Sequence, residues 1–162
     1  MKSHSYLEEN TKYIESSIPS LANFIPDLKE NMINFIYLGK QDYLPMWELQ
    51  KYLHTLRKNR KIPDVVLLLE HKSVYTFGKN ADKNYLLDSH LEAEIVQTDR
   101  GGEVTYHGLG QLVGYPILNL NDYKKSITWF MRSLESVIIN TLKHFKIPVS
   151  YTHLTLPTTP YV

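Results

Sequence analysis

The sequence predicts an α+β domain, and three observations carry that expectation. Short runs rich in β-branched and aromatic residues, such as Val65-Val66-Leu67-Leu68-Leu69 and Val74-Tyr75-Thr76-Phe77, are bounded by Pro or Gly and read as strands. Two longer stretches place apolar residues three and four apart, the helical period. The resulting order of strand, helix, strands and helix is not the one-for-one alternation of a βαβ repeat, so α+β fits better.

Taken in order, a first strand is expected at Ile33 to Leu38. A helix follows over Tyr43 to Lys58, with Met46, Leu49, Leu53 and Leu56 on one face. Asp42 stands where an N-cap belongs, and Pro45 lies in the first turn, where a missing N–H does no harm. Pro63-Asp64 breaks the helical pattern ahead of the Val65–Leu69 strand, which has the unbroken apolar character of a buried strand. Val74–Phe77 is the next strand and Gly78 stops it. Lys79 to His90 reads as a polar loop anchored by Leu86-Leu87. Ile95 to Thr98 is a strand leading directly to Arg100, and Leu112 to Leu118 is another. The last helix is expected from Ser126 to Phe145, with Ile127, Phe130, Leu134, Val137, Ile138, Leu142 and Phe145 at helical spacing and Ser126 as its cap.

The 162 residues suffice for one domain, and 43% hydrophobic with 22% charged residues is ordinary for a globular chain. A formal net charge of +1 gives no reason to expect nucleic acid as a partner. No apolar run approaches the roughly 20 residues of a membrane helix, so no membrane partner is expected. Residues 1–30 are polar, interrupted by Ile18-Pro19 and Ile25-Pro26, and read as a loosely attached extension. They lack a signal-peptide core, and Glu8, Glu9, Glu15 and Asp27 disfavour an Arg-rich transit peptide, although a divergent organelle leader stays open. Residues 151–162 are rich in Thr and Pro and have no period. There are no cysteines, which excludes disulfides, thiolate metal sites and a cysteine nucleophile within these residues. His4, His54, His90, His144 and His153 show no metal-ligand spacing, so no metal site is expected.

The chemistry concentrates between Arg100 and Gln111, a dozen residues that hold four of the seven glycines beside one Arg and one His. Such clustering serves either a tight turn or a ligand lying against bare backbone. Arg100 brings a permanent planar cation, and His107 a group that donates or accepts near neutral pH. Arg100 is equally suited to a structural clamp with Asp99 or Glu103, and His107 to a purely structural role. His71, at a strand end, reads as structural. Strand alternation puts Glu103, Thr105 and His107 on one face and Val104 and Tyr106 on the other.

The run Arg100-Gly101-Gly102-Glu103-Val104-Thr105-Tyr106-His107-Gly108-Leu109-Gly110-Gln111-Leu112-Val113-Gly114-Tyr115-Pro116 resembles the signature of octanoyltransferases, departing from it only at Leu109, where that family has Pro. The segment Leu68 to Gly78 is similar to the family's strand and turn around Glu-His and Val-Tyr-Thr. Tyr43, Trp47 and Gln50 stand where its first helix carries similar residues. The likeness extends from about Ile33 to about Pro148.

The resemblance implies a mixed β-sheet flanked by helices, as in the biotin/lipoate protein ligase catalytic domain, spanning residues 31–150 and incomplete at its C-terminus, with 151–162 as an aberrant tail. It implies transfer of an octanoyl group from acyl carrier protein to a lysine of lipoyl domains, those of 2-oxoacid dehydrogenases and the glycine cleavage H protein. No cofactor is implied. The residues carried across as acyl-binding are Arg100, Gly101, Gly102, Glu103, Val104, Thr105, Tyr106 and His107. The family's nucleophilic Cys and its assisting Lys lie downstream of the matching region, so no catalytic residue is assigned and the chain as given is expected to be inactive. The resemblance places the protein in the cytoplasm, or in a mitochondrion or plastid in a eukaryote. A lipoate–protein ligase and a non-catalytic acyl-binding fragment are the competing expectations.

Overall fold

A computed structural model describes residues 20–82 and 93–149. The expected Leu86-Leu87 anchor, His4, His90, His153 and the 151–162 segment lie outside the described residues. The chain divides into two compact units, residues 1–119 and 120–162.

The first unit is α+β, as the sequence predicts. Its elements are β1 (Asn34–Gln41), α1 (Tyr43–Lys58), β2 (Val65–His71), β3 (Val74–Phe77), β4 (Glu94–Gln97), β5 (Val104–His107) and β6 (Val113–Ile117). They form two three-stranded mixed sheets, ordered β1-β2-β6 and β4-β3-β5. In the first sheet β1 runs parallel to β2, with Asn34 opposite Val65, and β2 runs antiparallel to β6. A parallel neighbour cannot be reached by a tight hairpin, and α1 supplies the crossover. In the second, β3 is parallel to β4 and antiparallel to β5.

The core lies between α1 and one face of β2. Met46, Leu49 and Leu53, the stripe read from the sequence, are fully buried, as are Val65, Leu67 and Leu69. Each such side chain contributes about 1.5–3 kcal/mol on burial. Alternation in β2 continues to His71, which is likewise fully buried and so faces inward at the strand's end. The polar N-terminal segment is not loose where it is described. Ala22 is buried, and Leu21, Phe24, Ile25 and Leu28 pack against the same core.

Two polar devices tie the unit together. Buried Asp64 accepts from Arg57 Nε and from the Asn119 N–H at 3.1 Å, joining the end of α1 to the chain after β6. Asn34 reaches back to Lys29 and across to the Asp64 carbonyl, fixing where β1 begins. Asp42 holds the N-cap position of α1, but its side chain makes no capping bond. Its carboxylate pairs instead with Lys72 at 2.9 Å.

In the second unit a 3-10 turn (Leu120–Asp122) precedes α2 (Ile127–His144). Ser126 caps α2 as expected, its hydroxyl accepting from the Trp129 N–H at 3.2 Å. The apolar stripe is present, yet no α2 residue is buried, and Ile127, Val137 and Ile138 are exposed. No helix among the described residues is long and apolar enough to cross a membrane.

Candidate functional site

The eight candidate residues fall on the loop from β4 and on β5, both flanking β3. Arg100 organises them. Its Nη2 donates to the Thr76 carbonyl (2.8 Å), to Thr76 Oγ1 (2.9 Å) and to Thr105 Oγ1 (2.8 Å), while Nη1 donates to the Gly101 carbonyl at 3.0 Å. The clamp foreseen for Arg100 therefore exists, but it grips uncharged oxygens of β3 and β5 rather than Asp99 or Glu103. A planar guanidinium can do this because its donors fan out in fixed directions. The loop is sealed at its base by Gly78 N–H to the Glu103 carbonyl (3.1 Å) and Lys79 N–H to the Arg100 carbonyl (2.9 Å). Gly78 has to be glycine here, since a Cβ would lie 2.9 Å from the Gly102 carbonyl carbon and closer still to its oxygen. Gly101, by contrast, would meet nothing within 4 Å, so its backbone borders open space.

Alternation along β5 divides the remaining residues. Tyr106 lies against Tyr75 (centroids 4.9 Å apart), and its hydroxyl donates to Ser73 at 3.2 Å. Thr105 turns to Arg100, and His107 shares that face by strand period. Val104 pairs with Phe77 across the ladder, and Glu103 contributes its backbone carbonyl to the Gly78 contact. The eight residues thus do not line one surface, and a ligand on the Arg100 face meets Thr105 and His107 but not Tyr106.

His107 opens onto a ring cluster that the sequence did not assemble. Tyr43 begins α1, His71 ends β2, His107 ends β5, and Tyr115 sits in β6. Tyr43 is stacked on His107 (6.2 Å, 19°) and lies 5.1 Å from His71, while His71 is 5.7 Å from His107 and 5.8 Å from Tyr115. By sequence alone Tyr43 belongs to a helix and Tyr115 to a strand. Tyr43, His71 and His107 stand at element ends, but no local pattern in the sequence joins them to Tyr115 in the middle of β6.

His71 is fully committed within this cluster. A carbonyl only accepts, so the contact of Nδ1 with the Gln41 carbonyl (3.3 Å) puts the proton on Nδ1. Nε2 then accepts from the Tyr115 hydroxyl at 2.7 Å. Burial lowers the His71 pKa, with nearby His107 acting in the same direction and the Gln41 carbonyl opposing. Burial also raises the Tyr115 phenol well above its usual value, with Tyr43 adding to the rise and Gln50 opposing it. The Tyr43 phenol is raised by burial too, against the pull of Arg100. Both groups of the bonded pair are therefore held neutral.

This commitment predicts an acid weakness. As pH falls through 6.5, the ordinary value, the unfolded chain protonates His71 while the folded site resists. The stability from neutral His71 is fully present above that pH and is lost from there down to the lowered folded value. Denaturant midpoints for wild type and His71→Asn should converge as pH drops below 6.5. A gap that stays constant with pH would contradict this.

Beyond β5 the chain turns at Gly108-Leu109-Gly110-Gln111. The Gln111 N–H donates to the Gly108 carbonyl (3.2 Å), and Gly110 has φ +84°, which together define a type II turn with glycine at its third position. Glu70 pins this turn by accepting the Gly110 N–H at 3.0 Å. Leu109 takes the second position, where Pro is favoured because its ring fixes φ near the value that the turn needs. Leu109→Pro should raise stability by about 0.4–1 kcal/mol, read as an increased denaturant midpoint. Inside the turn, His107 Nδ1 meets Gln111 Oε1 at 2.7 Å.

The site thus presents the His107 imidazole, phenol rings and bare glycine backbone beside a cation already bound by neutral oxygens. Such a surface suits an apolar chain with a polar head. Among the described residues no group of three His, Cys, Asp or Glu is placed to hold a metal ion.

Known proteins are similar to this chain. An octanoyltransferase of Gloeobacter violaceus is 49% identical over 108 residues, covering 66% of this chain and 49% of that protein. One of Synechococcus elongatus is 42% identical over 113 residues (68% and 48%), and one of Vibrio vulnificus 40% over 118 residues (73% and 53%). The chain spans about half the length of the curated relatives it matches. The family model described as the lipoyl protein ligase A/B catalytic domain matches residues 42–155, from the start of α1 through the clamp, the ring cluster and α2. On that match the chain belongs to the lipoyl protein ligase A/B catalytic domain family.

Proposed function

We propose that this chain carries the acyl-recognition part of an octanoyltransferase, an acyltransferase moving octanoyl from acyl carrier protein to a lysine of lipoyl domains. The observation that carries this is the Arg100–His107 segment, where the clamped loop leaves Gly101 backbone open and brings Thr105 and His107 to one face. The octanoyltransferase relatives support the transferase over the ligase within a family that includes both. The acyl tail lies along the Gly101-Gly102 backbone, and the thioester head faces Thr105 and His107. These 162 residues contain no cysteine, so the chain as given holds the acyl group without forming an acyl-cysteine.

The test is calorimetric titration with thioesters of decreasing chain length. Affinity should fall about fourfold for each methylene removed, as burial of about 0.8 kcal/mol per methylene requires. Mass spectrometry should find no thioester adduct on the protein, and purified material should octanoylate a lipoyl domain no faster than a blank. Affinity independent of chain length would refute acyl recognition. Formation of an acyl-adenylate from ATP and free octanoate or lipoate would identify a ligase instead.

A further inference from the structure

The two histidines of the cluster share a tautomer but differ in what completes them. In His71, Nδ1 donates to the Gln41 carbonyl and Nε2 is filled by the Tyr115 hydroxyl. In His107, Nδ1 meets Gln111 Oε1 at 2.7 Å, and an amide oxygen only accepts, so the proton is again on Nδ1. Nε2 of His107 takes no hydrogen bond from the described residues. Neither ring is idle: Tyr43 stacks on His107, fixing the plane in which that lone pair lies.

Gln111 is well placed to hold this state. Its N–H closes the turn onto the Gly108 carbonyl, and the neighbouring Gly110 N–H is bound by Glu70, so the side chain starts from a fixed backbone. We propose that Gln111 is a positioning residue that keeps the His107 proton on Nδ1, leaving Nε2 as the acceptor for an N–H in the arm of the bound acyl thioester. This rests on the acyl-thioester reading above for its ligand, though not for its tautomer.

Long-range proton–nitrogen correlation spectra of labelled protein read the His107 tautomer without ligand. Wild type should show the proton on Nδ1. Q111L should give a mixture, and Q111E, whose carboxylate accepts from the same nitrogen, should restore Nδ1–H. A proton on Nε2 in wild type, or a tautomer unmoved by Q111L, would overturn the proposal.

Binding then assigns the ligand group. S-octanoyl-N-acetylcysteamine carries an amide N–H near its thioester, whereas S-butyl thiooctanoate carries none. Wild type and Q111E should prefer the first by about fivefold, the scale of one hydrogen bond, and Q111L should not discriminate. Equal binding of both thioesters by wild type overturns this proposal alone. If neither binds although the tautomer responds as expected, the acyl-thioester reading falls, and with it the ligand given to Nε2.

Discussion

Replacing Arg100 with leucine should destabilise the protein by about 2–4 kcal/mol and remove thioester binding, the first read by denaturant unfolding and the second by calorimetry. Four hydrogen bonds from the guanidinium hold β3, β5 and the loop between β4 and β5 together. Thr76, which provides two of the acceptors, is fully buried, so its carbonyl has no water to fall back on. Hydrogen bonds from a charged donor contribute about 1.5–3 kcal/mol each, but bonds sharing one nitrogen do not add, which sets the range. Arg100→Lys should recover only part of the loss, because an ammonium is a point charge without the fork that reaches Thr76 and Thr105 together. A leucine variant with wild-type stability and binding would remove Arg100 from its organising place.

Gly78→Ala should be about as damaging, by about 2–4 kcal/mol, for a different reason. The added methyl would overlap the Gly102 carbonyl, a backbone group that cannot rotate aside. Relief requires opening the Gly78–Glu103 contact at the base of the loop. Gly101→Ala is the informative counterpart. Its methyl would meet nothing within 4 Å, so stability should change by no more than about 0.5 kcal/mol. If the acyl chain lies on this backbone, the same methyl should still weaken thioester binding. Equal loss of stability in both variants would mean that the loop is not packed as described.

The contrast between these positions marks what could be read from the sequence. Helix α1 was legible to the residue, because its apolar stripe, its Pro in the first turn and Asp42 before it agree locally. Even so, Asp42 gives its carboxylate to Lys72, which lies 30 positions away and becomes a neighbour only when β1 and β2 pair. Arg100 followed the same logic. The carboxylates beside it in sequence looked like partners, whereas its real acceptors on Thr76 are brought by strand pairing. The turn at Gly108–Gln111 was only one of two roles open to the glycine cluster, whereas the Ser126 cap, a local feature, was legible. The cluster of Tyr43, His71, His107 and Tyr115 was not, since four separate elements converge to make it. In α2 the stripe was visible but its burial was not, because periodicity gives the direction of a face and not what lies against it.

The proposed function rests on an acyl chain being received by the Arg100–His107 segment. Photo-crosslinking tests it most directly, using an octanoyl thioester with a diazirine at the end of its acyl chain and peptide mapping of the labelled protein. Labelling should concentrate between Arg100 and His107, and unlabelled octanoyl thioester should compete it away. Competable labelling confined to residues outside that segment would rule out acyl recognition there.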